Sequence, residues 1–294
     1  MFGARVAVQD LTLAVPSGEI FGLLGHNGAG KSTAIGMMLG QVWPTRGEVK
    51  VCGHDVTTQR ARALQKVGAI FEAPAFYDYL SGWRNLEILS HYSAPTSRER
   101  IREVVDWVGL TGREQSKVKT YSHGMRARLA LAQALLPQPE MLILDEPGNG
   151  LDPEGIAEMR QTIARLHREL GLTILLSSHQ LSEVEQLCTR IAVLNQGRKV
   201  FEGQVADVKA VRGRVMLKTP DFAAATKLLR ELGVITGSTD GKFIELSEGW
   251  TTAEAVQTLV AANMPVEGIW QQAQTLEDFY LSLVKTTPPV PKNK

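Results

Sequence analysis

The stretch Gly25-His26-Asn27-Gly28-Ala29-Gly30-Lys31-Ser32-Thr33 constrains this chain more than any other. It follows the apolar run Glu19-Ile20-Phe21-Gly22-Leu23-Leu24, which reads as a buried strand. It precedes Ala34-Ile35-Gly36-Met37-Met38-Leu39, which reads as the first turns of a helix. Strand, glycine-rich loop and helix give the pattern G-x-x-x-x-G-K-[ST] the setting in which it holds phosphate. Glycines let backbone N–H groups converge on an anion with no Cβ in the way, and a helix N-terminus adds partial positive charge. Lys31 is then placed to reach the β- and γ-phosphates, and the Ser32 hydroxyl to ligate Mg²⁺.

The rest of the composition narrows the partners. With 294 residues, the chain has room for one large α/β domain and a small appendage. A formal net charge of +1 gives no general electrostatic case for nucleic acid or anionic lipid. Cys52 and Cys188 lie far apart, with no C-x-x-C pattern, which points to neither metal nor disulfide and fits a reducing cytosol. No apolar run is long enough to span a bilayer, and no basic segment followed by an apolar core opens the chain, so neither a spanning helix nor an export signal is expected.

Taken in order, Val6-Ala7-Val8 and Leu11 to Val15 read as a hairpin of antiparallel strands, and Pro16-Ser17-Gly18 as a turn leading into the central strand. Glu48-Val49-Lys50-Val51 reads as a strand, and Lys66 to Glu72 as a buried strand stopped by Pro74. Residues 81–136 change to helical spacing, with Trp83, Leu86 and Leu89, then Ile101, Val104, Val105 and Val108. The last helix of this insertion opens at Tyr121-Ser122-His123-Gly124-Met125 and stops at Pro137. Met141-Leu142-Ile143-Leu144 is a strand ending in Asp145-Glu146-Pro147; a helix over 153–170 and a strand over 172–176, ending in Ser177-Ser178-His179, follow. Strands separated by helices predict a mainly parallel sheet, with its polar tips at the carboxyl ends where such folds place ligands. Near residue 207 the pattern resets to strand, helix, strand, helix, strand and a short helix, a small α+β domain read as ferredoxin-like. The expected division is a phosphate-loop domain over 1–205, an accessory domain over 206–286, and a mobile tail over 287–294.

Asp145 ends an apolar strand and Glu146 follows at once. One carboxylate there can join the Mg²⁺ shell while its neighbour orients and deprotonates a water attacking the γ-phosphate. His179, at the end of the next strand, can contact the γ-phosphate or hold that water. The ordered set of phosphate loop, helical insertion, YSHGM, MLILDE, GNGLD and SSHQ resembles the nucleotide-binding subunit of an ATP-binding cassette (ABC) transporter, over residues 1 to about 205. The fold implied is α/β, a P-loop NTPase cassette with an antiparallel β-subdomain and a helical subdomain.

By that resemblance, Ser122 and Gly124 stand in the signature segment that meets the γ-phosphate of ATP held by a partner subunit. The segment keeps two of the five family residues. Asp152 lies in the loop that crosses the dimer interface, and Phe2 falls where an aromatic stacks on adenine. Glu72 stands where most cassettes have glutamine, touching Mg²⁺ and facing the membrane subunit. Glutamate there resembles exporters linked to bacitracin and lantibiotics, and a carboxylate at that place can itself bind Mg²⁺; the alternative is a strand end in solvent. Phe76, Tyr77 and Trp83 offer either a surface for the membrane subunit or ordinary core.

The resemblance implies ATP and Mg²⁺ as cofactors, a head-to-tail homodimer, and a separately encoded integral-membrane permease at the cytoplasmic face of the membrane, with no nucleic acid. Antibiotic or peptide efflux is the implied task. Two alternatives stay open: a soluble ABC-type ATPase acting on ribosomes or DNA, and a regulatory cassette that binds ATP without turnover.

Overall fold

β1 (Ile20–Leu24) is apolar and buried along its whole length, as suits a central strand of a parallel sheet with helices on both faces. The computed structural model describes residues 6–72, 75–93, 96–210, 214–272 and 275–286. After β1 come α1 (Lys31–Met38), β2 (Lys50–Val51), β3 (His54–Asp55), α2 (Arg60–Leu64) and β4 (Val67–Ile70). The helical insertion holds α3 (Gly82–Ser93), α4 (Arg98–Trp107) and α5 (His123–Leu135). Then follow β5 (Met141–Asp145), α6 (Pro153–Leu170), β6 (Thr173–Ser178), α7 (Leu181–Leu187), β7 (Arg190–Asn195) and β8 (Arg198–Gln204).

The six-stranded sheet runs β4-β5-β6-β1-β7-β8. All neighbours are parallel except β8, which returns antiparallel on β7. Register sets the site: Leu24 pairs with Ser178, and Asp145 with Ser177. The carboxyl ends of β1, β5 and β6 therefore lie side by side, with the phosphate loop leaving the first of them. Beneath them, Phe21, Leu23, Ile35, Ile143, Leu175 and Leu194 are fully buried in one core.

The helices start where their caps put them. The Ser97 hydroxyl accepts the Arg100 N–H at the head of α4, whose Ile101, Val104 and Val105 face inward at helical spacing. Asp152 caps α6 through the Gly155 N–H, Pro153 occupies its first turn, and Gly171 at φ 66° ends it. α5 presses on the sheet so closely that a Cβ on Gly68 of β4 would lie 2.0 Å from the Ala134 carbonyl oxygen. Gly68→Ala must therefore part α5 from β4. We expect a loss of about 2 kcal/mol and a fall of about 5 °C in the melting midpoint, read by circular dichroism.

Two readings of the sequence change here. The expected hairpin over residues 6–15 is absent as regular strand. Asp10 sits at φ 52°, which breaks an extended run, and the Gln9 N–H donates to Gly197 O instead. The segment is a strap whose Ala7 carbonyl lies where a Cβ on Gly30 or Gly197 would fall. Antiparallel pairing is instead supplied by β2 with β3 and by the β7–β8 hairpin, which the sequence reading did not single out. Its turn, Gln196 at φ 49° and Gly197 at φ 79°, has the left-handed pair that suits a two-residue hairpin.

The chain divides into two compact units, one of residues up to Val205 with those from Tyr280 onward, the other Ala206–Phe279. The sequence reading ended the second domain at 286. α8 (Val205–Ala210) is followed by β9 (Arg214–Lys218), α9 (Phe222–Glu231), β10 (Ile235–Thr239), β11 (Phe243–Leu246), α10 (Thr252–Ala261) and β12 (Gly268–Gln272). The antiparallel sheet runs β10-β11-β9-β12, a split β-α-β arrangement of the ferredoxin-like kind. Its core is Val215, Leu217, Ala225, Leu229, Ile244, Ala255 and Leu259. The last helix, α11 (Leu276–Thr286), runs from one unit into the other, and the tail over 287–294 lies outside the described residues.

Candidate active site

The phosphate loop is shaped by the room around it. At Gly25 an added Cβ would lie 2.6 Å from Leu194 O, and Gly28 and Gly30 adopt φ values of 82° and 105° that favour glycine. Ala29 N–H donates to His26 O, closing the loop, and the His26 ring is 3.2 Å from the buried Asn195 amide on β7. Burial pushes the Tyr280 pKa up, and the His26 backbone N–H works against that rise.

Lys31 is the first residue of α1 and is only 5% exposed. Its Nζ donates to Gly25 O at 2.8 Å and reaches Glu146 Oε1 at 3.3 Å. The other oxygen of Glu146 lies 2.7 Å from His179 Nδ1. One carboxylate thus joins an ammonium and an imidazole, three residues the sequence reading put in one site and the structure brings together. Glu146 holds a left-handed backbone, φ 48°, a conformation a non-glycine residue adopts at some energetic cost and often at functional sites. Two backbone contacts help hold it there, its N–H donating to Ser177 Oγ and to Ser177 O.

Asp145 is anchored by the same serine: the fully buried Ser177 hydroxyl donates to its carboxylate. Ser177 was read only as a polar strand tip; its position beside Asp145 in the register is what gives it this role. Ser32 is exposed and Thr33 half-buried in the first turn of α1. Glu72 lies two residues past β4, exposed, at φ 58°, and makes no hydrogen bond or ion pair with Lys31, Asp145 or Glu146 among the described residues.

Ser122 caps α5, accepting the Met125 N–H at 3.2 Å, and Gly124 follows in the open, with no atom nearer than 3.9 Å to an added Cβ. Asp152 caps α6. Among the described residues neither Ser122 nor Asp152 bonds to the Lys31–Glu146–His179 cluster. Phe2, expected against adenine, lies outside the described residues.

A protein-family model described as ABC transporter matches residues 8–149. YhcH of Bacillus subtilis (strain 168), an uncharacterised ABC transporter ATP-binding protein, is 39% identical over 284 residues, 96% of this chain and 92% of YhcH. The chain belongs to the ABC transporter family. This ABC cassette is also 36% identical to the bacitracin transport ATP-binding protein BcrA of Enterococcus faecalis, over 96% of this chain and 93% of BcrA. Among solved structures, the ATP-binding cassette MJ0796, a dimer in a post-hydrolysis state bound to ADP and Pi, shares the fold. The TM-score is 0.61 at 23% identity, over 68% of this chain and 91% of that one.

As an ABC ATP-binding cassette, the chain is an ATPase that powers transport. No helix among the described residues is long and apolar enough to cross a membrane. Among them, too, no three His, Cys, Asp or Glu side chains gather as a metal cage.

Proposed function

We propose that this cassette hydrolyses MgATP between two copies arranged head to tail and drives a separately encoded permease that exports a peptide antibiotic. The observation that carries the pairing is the separation within one chain. Lys31, Glu146 and His179 form one bonded cluster, while Ser122 and Asp152 stand at the N-termini of other helices, outside it. A helix N-terminus favours an anion, so Ser122 of one copy would face the γ-phosphate held by Lys31 of the other.

The oxygen donors fit Mg²⁺: the Ser32 hydroxyl and the Asp145 carboxylate would hold it, the latter oriented by Ser177, with Glu72 as a further oxygen ligand. The cation would neutralise charge on the β- and γ-phosphates. Lys31 would leave Glu146 for the phosphates, freeing that carboxylate to take a proton from water. His179 would hold Glu146 at Oε2 and meet the γ-phosphate with its other face.

The kinship with a bacitracin transport protein supports the cargo class, and its name belongs to that relative alone. Charge argues against the ribosome or DNA alternative, and an intact Lys31, Asp145, Glu146 and His179 against a cassette without turnover. The test expresses the chain with the permease encoded beside its gene in a bacitracin-sensitive host. Tolerance to bacitracin or a lantibiotic should rise with the native pair and not with Glu146→Gln. Unchanged tolerance to both, with the two proteins present in the membrane fraction, would reject the peptide-antibiotic reading.

A further inference from the structure

We propose that Glu183 is a positioning residue for ATP hydrolysis: its carboxylate clamps the turn carrying His179 onto the turn that follows Glu146. Glu183 is the third residue of α7 and half-buried. Its Oε2 accepts the Ser178 hydroxyl at 3.1 Å, and that same hydroxyl oxygen accepts the Gln180 N–H at 2.9 Å. One side chain thus ties down the residues on both flanks of His179. Its Oε1 presses on the other turn: a Cβ added to Gly148 would sit 2.7 Å away. Gly148 has no left-handed backbone, and what an added Cβ would meet there is the carboxylate end of Glu183, which would have to shift to make room.

Between these two grips lies the catalytic contact, Glu146 Oε2 to His179 Nδ1 at 2.7 Å. Burial raises the pKa of Glu183, opposed by the Ser178 hydroxyl and by the charges of His179 and Arg160. Among the described residues Glu183 has no ion pair, so its desolvation is not repaid by a salt bridge. An acidic residue in the first turn of α7 would interact favourably with the helix dipole. That role explains a carboxylate at this position, but neither the hydrogen bond to Ser178 nor the contact with Gly148. The inference rests on the ATPase activity of the family and not on the head-to-tail pairing or the cargo.

The test is steady-state ATPase kinetics on the full chain, with thermal melts beside it. Glu183→Ala should lower kcat about tenfold or more, because a small displacement of a catalytic group is enough to do so. KM for ATP and the ATP-induced rise in melting temperature should stay near native, since the phosphate cradle is untouched. Glu183→Gln keeps an acceptor for Ser178 and bulk against Gly148, and should restore most of kcat. Gly148→Ala should push the carboxylate away and slow turnover as Glu183→Ala does. The double variant should be no slower than the slower single one, because both changes break the same contact.

A melting temperature lowered with kcat unchanged in Glu183→Ala would overturn the proposal, leaving Glu183 as a helix-end charge. Equal loss in Glu183→Gln would overturn it too, since charge rather than fit would then matter. If Glu183→Ala fails to fold, Gly148→Ala decides: native kcat there rejects the clamp, and a slowed kcat with native KM supports it.

Discussion

Glu146→Gln should still bind MgATP yet hydrolyse it about 10²- to 10⁴-fold more slowly than the native chain, the range for loss of a general base. The substitution is nearly isosteric. An amide oxygen can still receive the Lys31 ammonium, which now stands 3.3 Å from Oε1, and the His179 ring still has a partner on the other side. What disappears is the ability to accept a proton from water. Binding should persist because the glycine loop, Lys31 and Ser32 are unchanged. With ATP trapped, the variant should elute from size-exclusion chromatography as a dimer, since nucleotide held between two copies contributes to their association. Near-native turnover would remove Glu146 from the chemistry, and a monomer with ATP bound would count against the head-to-tail proposal.

Most of this site was legible because each part is a contiguous run at the end of an apolar strand. Gly25 to Thr33, Asp145-Glu146 and His179 each follow a strand, and a parallel sheet puts such ends on one edge. Local pattern does not say which ends are neighbours. That comes from the register of Leu24 with Ser178 and Asp145 with Ser177. The residues that were missed act across long separations: Ser177 meets Asp145 from 32 positions away, and Tyr280 meets the loop at His26 from the far end of the chain. The β7–β8 hairpin carries a buried first strand and a left-handed turn at Gln196-Gly197, where glutamine conceals the φ > 0 that an asparagine would have advertised. The reverse error occurred over residues 6–15. Apolar alternation is compatible with a strand, but a strand needs a ladder, and here the backbone gives its Gln9 N–H to Gly197 O while Asp10 turns left-handed.

Lys31→Ala should act on binding first, weakening ATP about 100-fold or more, because it removes charge-assisted hydrogen bonds to two phosphates. Hydrolysis should fall with it. The folded chain should change less. Removing Lys31 takes away the donor to Gly25 O and the cation beside Glu146, but it also spares burying an ammonium that is only 5% exposed. Glu146, at 21% exposure, can still be reached by water. The stability change without nucleotide should therefore stay within about 2 kcal/mol. The decisive measurement is the rise in melting temperature that ATP produces, since a ligand bound only to the folded state stabilises it by about 4 kcal/mol at a thousand times its Kd. At an ATP concentration that shifts the native chain fully, Lys31→Ala should show little shift. Glu146→Gln should show a shift equal to or larger than native, because the γ-phosphate no longer competes with a carboxylate for the lysine. The two substitutions break one ion pair from opposite sides and should move ATP affinity in opposite directions. If both weakened ATP alike, the pair would be a structural brace, and Lys31 would not be exchanging Glu146 for phosphate.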